Sequence, residues 1–463
     1  MKIRKVTMGI AASLGIQQSV WASGYQFDLQ SVRAQANANA NAAEASDPST
    51  IFYNPAGLAM LDGTQMTLGT TAVDPHSTFS YSTAIAASGQ PILGNTGGDY
   101  GGEAVIPHGY VSHRLSDDMV AGVGLFVPYG APIDYDEQFV GRYFSNAIDF
   151  KSVALNPSLG IELSDQHHIG LGLSAQYLDI ELQNNIETSA VAFASCMAGV
   201  GVADLCLPVA GVYAGQPDSK ATISGTDWGY GFNLGYLFTP GKATRIGLAY
   251  RSYIHHQLSG DAIFSVPATL PGGDSVPLNG GIRMAMADSN AKVDLTTPET
   301  LSAHLYHQLL PDVAVMADIA WNRHSRLQNI AIQIPTDMIP TRNIAYKTAW
   351  RNSLRASVGL SYKATEQWTW RTGYMYDQSP VTDAKYTLTV LPDANRQMYS
   401  LGGSYSLSEK TTIDFAYSFL RLNDAAIQRT DDDYIAENGS PGTLTGEYDA
   451  YFHLLGLSLS YHF

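Results

Sequence analysis

The last thirteen residues, from Tyr451 to Phe463, read YFHLLGLSLSYHF. Taken with period two, one side carries Tyr451, His453, Leu455, Leu457, Leu459, Tyr461 and Phe463. The other carries Leu454, Gly456, Ser458, Ser460 and His462. Alternation this strict specifies a β-strand. One face suits hydrocarbon and the other is small and polar, which is the pattern of a wall between lipid and a wet lumen. A strand of that kind cannot be left with a free edge, so it must close against another strand.

The start of the chain has a different character. Lys2, Arg4 and Lys5 precede a short apolar run, Val6 to Ile16, and Val20-Trp21-Ala22 offers a cleavage site. These features predict a signal peptide over 1–22, because the run is too short to span a bilayer. A mean hydropathy of −0.07 excludes a bundle of membrane helices. The apolar stretch from Ser189 to Gly215 contains Asp204, Pro208 and several glycines. It reads as a loop with short helices rather than a span. The formal charge is −16, and near −19 without 1–22, which argues against nucleic acid as a partner.

Cys196 and Cys206 lie close together inside that apolar stretch. In an exported protein such a pair forms a disulfide, with two buried thiols as the alternative. No His or further Cys stands near them to suggest zinc. His167-His168 and His255-His256 are adjacent in strands and split across two faces, and so do His304 and His307 if their strand is regular. No metal site and no cofactor are expected. Nor does the sequence offer a Ser-His-acid set, so a lipase or protease is a distant alternative to a non-enzyme.

Residues 23–62 are rich in Ala and Asn, then turn at Asp47-Pro48 and Asn54-Pro55. They read as an irregular segment with short helices. From residue 64 onward, alternating segments recur. Six tight connections punctuate them: Ser116–Asp118, Ser164–Gln166, Thr239–Lys242, Leu310–Asp312, Thr365–Gln367 and Ser408–Lys410. Each joins two strands, and the first and last strands bring the total to fourteen. Short turns at one end, long loops at the other and aromatics such as Trp368 and Trp370 beside a turn describe a transmembrane antiparallel β-barrel.

The chain resembles the long-chain fatty acid outer-membrane transporters of the FadL/TodX type. The resemblance rests on Ser23-Gly24-Tyr25-Gln26, on NPAGL from Asn54 to Leu58, on LNPSLGIEL from Leu155 to Leu163, on WTWRTGYMYDQSPV from Trp368 to Val381, and on the Tyr-His-Phe ending. Their order and spacing cover nearly the whole mature chain. It implies an all-β fold: a monomeric barrel over 63–463 with a small hatch, 23–62, in its lumen. It also implies passive uptake of hydrophobic molecules across the bacterial outer membrane. The expected ligand is a long-chain fatty acid, with aromatic or other hydrocarbons as the alternative and a general porin as a distant one. Outer-membrane lipid and lipopolysaccharide would surround the wall. The cysteine pair is a departure from the family pattern, as is the upper part of strand ten.

Strand parity locates the candidate lumenal charges. Arg351 and Arg355 share the inner face of strand ten, and Arg371 and Asp377 that of strand eleven. Pairing about the Thr365–Gln367 turn brings Arg355 opposite Asp377. A cation with a compensating carboxylate suits a fatty acid head group. An ion-pair network bracing the barrel is the alternative. The resemblance adds Lys347 near a pocket lysine, matches Asp377 to a pocket residue, and places the hatch start, Ser23, Gly24 and Tyr25, at the ligand. The apolar loop around Val191, Phe193, Met197 and Leu205 offers an entry surface. Strand three meets Pro128, Gly130 and Pro132, with Tyr129 and Ala131 between them, where proline gives no amide to a ladder. The resemblance implies an inward kink there and lateral exit of ligand, with Asn54, Pro55 and Ala56 as the gate. The start of an extracellular loop is the other reading of the same residues.

Overall fold

The computed structural model describes residues 25–335, 342–430 and 441–463. The expected signal peptide, 1–22, and Ser23 and Gly24 lie outside the described residues. Fourteen strands run along the chain. They are β1 (Thr64–Ile85), β2 (Ala104–Ser116), β3 (Met119–Phe126 and Gly130–Asp134), β4 (Ala147–Ser164) and β5 (His167–Ile186). Next come β6 (Ser219–Gly241), β7 (Thr244–Arg251 and Ile254–Ser265), β8 (Ser289–Thr297 and Thr300–Leu310) and β9 (Val313–Asn322 and Asn329–Ile334). The last are β10 (Arg342–Lys347 and Ser353–Lys363), β11 (Trp368–Asp377), β12 (Arg396–Ser406), β13 (Thr411–Leu422 and Ala425–Arg429) and β14 (Thr443–His462).

Each strand pairs antiparallel with its chain neighbours, and β14 pairs with β1 from Gln65–His462 to Ile85–Thr443, closing the barrel. Closure leaves no edge strand, which is what allows a sheet to stand in lipid. The tight turns all fall at one end and the long connections at the other. On β14, Leu455, Leu457 and Leu459 point outward and are exposed, while Ser458 and Ser460 are buried inside. The alternation seen in the terminal sequence is thus the two faces of the wall.

Residues 25–62 fill the lumen. Two short helices, α1 (Val32–Ala36) and α2 (Thr50–Tyr53), and a 3₁₀ turn, Pro55–Met60, supply their regular structure. Ser31 caps α1 by accepting from the Ala34 amide, and Asn54 caps the 3₁₀ turn by accepting from Ala56. Buried ion pairs tie this hatch to the wall: Arg33 to Asp414 (3.2 Å), Glu44 to Arg371 (3.4 Å) and Asp28 to Arg355. At the long-loop end, α3 (Thr188–Val200) and α4 (Ala203–Gly211) are joined by the Cys196–Cys206 disulfide. Tyr213 of the same loop packs with Leu270 and with Ile282 of α5 (Pro277–Ala285). No helix among the described residues is long and apolar enough to cross a membrane.

Candidate functional site

Above the hatch lies an apolar cavity in which the centres of water-sized spheres can occupy about 90 Å³. Branched and aromatic side chains of the strands line it, among them Ile148, Phe150, Ile180, Leu258 and Ile332. Tyr25 of the hatch forms part of its wall. These positions alternate with outward ones along each strand, so the lining follows from the pleat. Its surface is almost wholly hydrocarbon, as in sites for apolar small molecules.

A polar cluster stands behind Tyr25, next to the cavity wall. Tyr25 stacks on Trp350 at 5.9 Å between ring centroids, and His324 meets Trp350 edge-on at 6.0 Å. Arg396 approaches Asp377 (3.7 Å) and also binds Asp393. Arg396 Nη1, Trp350 Nε1 and both ring nitrogens of His324 are buried and find no hydrogen-bond partner among the described residues. Buried polar groups without partners are uncommon enough to require an explanation, and a ligand or water is the usual one.

The sequence-derived site residues separate into groups. Arg355 and Asp377 are paired in register across β10 and β11. The Arg355 guanidinium, however, binds Asp28 of the hatch. Arg371 binds Ser404 and Glu44, so it braces the hatch. Arg351 is exposed and donates to the Ser379 carbonyl (3.3 Å). Lys347 is exposed and lies 5.5 Å from the Tyr386 ring. Sequence reasoning missed Arg396, Trp350, His324 and Asp28. Extending the strand parity from Asp377 to its partner on β12 would have found Arg396, since the two are opposite in the ladder.

The β3 interruption is a real break in the wall. The β2–β3 ladder ends at Gly109–Leu125; β3 resumes beside β4 at Gly130–Lys151, and the lead-in to β2 meets it again at Gly101–Ile133. Because the strand resumes its ladder, the segment is not simply the start of a loop. Between these points the hatch takes the place of a strand. The Phe27 amide donates to Pro128 (2.7 Å) and the Gly130 amide to Tyr25 (3.0 Å). The Gln30 side chain donates to the Val127 carbonyl (2.5 Å) and accepts from its amide (3.2 Å). Tyr129 exchanges hydrogen bonds with Ser152, and Ala131 and Pro132 continue the strand beside β4. Asn54, Pro55 and Ala56 do not lie on this break. They seat against Gly170 of β5 and Gly235 of β6, and Asn54 donates to the carbonyl of Tyr236 (3.2 Å). The element against the kink is Tyr25 to Gln30 instead, because its extended backbone can offer the missing ladder bonds.

Ser302, His304 and Asp318 come together inside the barrel, with Ser302 Oγ and Asp318 each 3.1 Å from a His304 ring nitrogen. Asp318 also accepts from the Ala42 amide (3.4 Å), so the set anchors the hatch.

Comparison with known proteins places this architecture. A family model described as outer membrane protein transport protein (OMPP1/FadL/TodX) matches residues 13–463. A putative outer membrane protein of Neisseria meningitidis is 32% identical over 457 residues, covering 96% of each chain. A long-chain fatty acid transport protein of Escherichia coli is 25% identical, covering 90% of each. A crystal structure of a Pseudomonas aeruginosa FadL homologue superposes with a TM-score of 0.83 at 24% identity, over 95% of this chain and all of that one (100%). The Pseudomonas putida toluene transporter TodX superposes at 0.62 with 20% identity, over 90% of this chain and 95% of that one. A closed fourteen-stranded barrel, a filled lumen, an apolar cavity and a family match over nearly the whole chain lead to one assignment: this is an outer-membrane transport protein for hydrophobic compounds and belongs to the OMPP1/FadL/TodX family.

Proposed function

We propose that the protein carries long-chain fatty acids passively across the outer membrane. The acyl chain occupies the apolar cavity, and its carboxylate sits beside Arg396, Trp350 and His324. The ligand then leaves sideways through the β3 interruption when Tyr25 to Gln30 withdraws. The observation that carries this reading is the cluster of buried polar groups without partners that adjoins Tyr25, itself part of the wall of an otherwise hydrocarbon cavity. Each buried methylene contributes about 0.8 kcal/mol, so a long chain supplies its own driving force. The exposed apolar side chains of α3 and α4, including Val200, Leu205 and Leu207, offer the first landing surface. No energy source is needed. The ligand is a fatty acid, the surrounding partners are membrane lipid and lipopolysaccharide, and the unit is a monomer.

A second reading has its own support. Arg396 already faces two carboxylates, and Arg355 already binds Asp28. A cavity whose cations are compensated suits an uncharged hydrocarbon. Binding of oleate and of hexadecane to the purified protein separates the two. Under the fatty acid reading, Arg396→Gln weakens oleate binding about tenfold, the effect of losing one charge-assisted hydrogen bond, and spares hexadecane. Equal affinities for both ligands in the parent protein, unchanged by Arg396→Gln, would leave the hydrocarbon reading standing.

A further inference from the structure

The wall has a second lapse, between β8 and β9. Their ladder runs from Leu310–Val313 to Thr300–Asn322, the Arg323 amide adds one bond to the Glu299 carbonyl (2.9 Å), and the pairing then stops. It resumes only at Val293–Ile332 and Lys292–Gln333. Pro298 has no amide to give, and the chain opposite folds into a 3₁₀ turn over His324–Arg326. β7 and β8 do not share the lapse and stay paired up to Ala262–Ser289. The β9–β10 ladder pauses between Asn322–Ser353 and Asn329–Lys347, where the Thr348 and Ala349 amides donate to the Gln328 carbonyl.

What lies on either side of the lapse gives it a direction. Inside, Val293 and Leu295 of β8 and Leu327, Ile330 and Ile332 of the β9 region line the apolar cavity. At its lower edge, Glu299 takes both Arg323 (2.9 Å) and Arg326. Arg326 also lies 3.9 Å from the ring centroid of the exposed Tyr253. Two guanidinium groups share one carboxylate there, which leaves a positive excess, and the Arg323 side chain is 47% exposed. Asp294, higher on β8, stands by His255 (3.9 Å). Directly below, Leu301 faces outward and is exposed, as a lipid contact should be. The arginines therefore stand at head-group height.

We propose that this lapse is a side port: a single-chain amphiphile with an anionic head group passes through it from the outer leaflet into the cavity, guided by Arg323 and Arg326. The proposal rests on the cavity being the transport site. It separates entry from exit, since the β3 break is filled by the hatch whereas the β8–β9 lapse opens onto the cavity lining.

The test uses the full chain in liposomes, with oleate or hexadecane supplied in the bilayer. The rate of cavity filling is read by displacement of a fluorescent fatty acid. The Arg323→Ala/Arg326→Ala double variant should fill with oleate about tenfold more slowly at low salt, with the difference shrinking at high salt. Its equilibrium affinity for oleate and its rate with hexadecane should stay within about twofold, because rim charges act on association. Arg323→Lys/Arg326→Lys should keep most of the rate. A diazirine-bearing fatty acid in the bilayer should label the peptides carrying Leu295 and Leu327. An unchanged oleate rate, or equal slowing of hexadecane, overturns the port. So does loss of the rate difference only when lipopolysaccharide is present, which would assign the arginines to a lipid phosphate. If the parent protein binds neither ligand, the transport reading itself fails, and photolabelling at the lapse still decides whether a chain passes there.

Discussion

At the scale of single residues, the lumen is a set of charges waiting for the hatch. Arg355 could be placed opposite Asp377 from strand parity and one tight turn, and the ladder has that register. Its partner Asp28 could not be placed, because residues 25–62 have no period that fixes where a side chain points. Arg371 with Glu44 and Asp414 with Arg33 repeat the lesson. A strand announces its inner face locally, whereas a hatch contact depends on how the filled lumen packs. The Asp28–Arg355 pair is buried, with side chains 11% and 9% exposed, so removing one partner strands a charge. Asp28→Asn should lower stability in urea by about 3–5 kcal/mol. Asp28→Leu/Arg355→Met, which removes both charges, should recover most of that loss. A double variant no more stable than Asp28→Asn would mean that the ion pair itself, not charge compensation, holds the hatch.

At the scale of elements, the sequence was most informative where proline and glycine interrupt a regular pattern. Pro128, Gly130 and Pro132 marked the β3 break because a wall strand cannot keep its ladder through them. The β8–β9 lapse left a weaker trace, Pro298 and the non-alternating run from Arg323 to Gln328, and it went unread. The polar edge of the cavity was half legible: Asp377 was identified, but Trp350 and His324 lie in strand interruptions where parity fails. The β3 break makes a direct prediction. Replacing 127–133 with an alternating Val/Thr sequence should let β3 pair with β2 beyond Gly109–Leu125 and displace Gln30 from Val127. Oleate uptake at matched surface expression should fall at least tenfold, while oleate binding persists, since most of the cavity lining lies elsewhere. Unchanged uptake through a folded, straightened barrel would rule out lateral exit at β3.

At the scale of the whole molecule, the closed wall and the hatch are separable structures that meet through close backbone approach. The β8–β9 lapse is left open, whereas at the β3 break the hatch supplies the missing bonds. The hatch is seated where inward glycines leave room for it. A Cβ at Gly170 would come within 2.2 Å of the Ala56 amide nitrogen, and one at Gly373 within 2.3 Å of the Asn37 backbone. Backbone cannot yield as a flexible side chain can, so these two sites control how deep the hatch sits. Gly170→Val/Gly373→Val adds bulk only to the inner face and leaves the outward face untouched. The barrel should still form, seen as retained heat-dependent gel mobility. The hatch should become open to protease, and ion conductance in planar bilayers should rise several-fold above the parent's, because the lumen is then an aqueous path. Oleate binding should weaken as well, since Tyr25 belongs to both hatch and cavity wall. A folded double variant with parental conductance would show that the long loops, rather than the hatch, seal the lumen against ions. In that case the hatch would serve only to cover the break in β3.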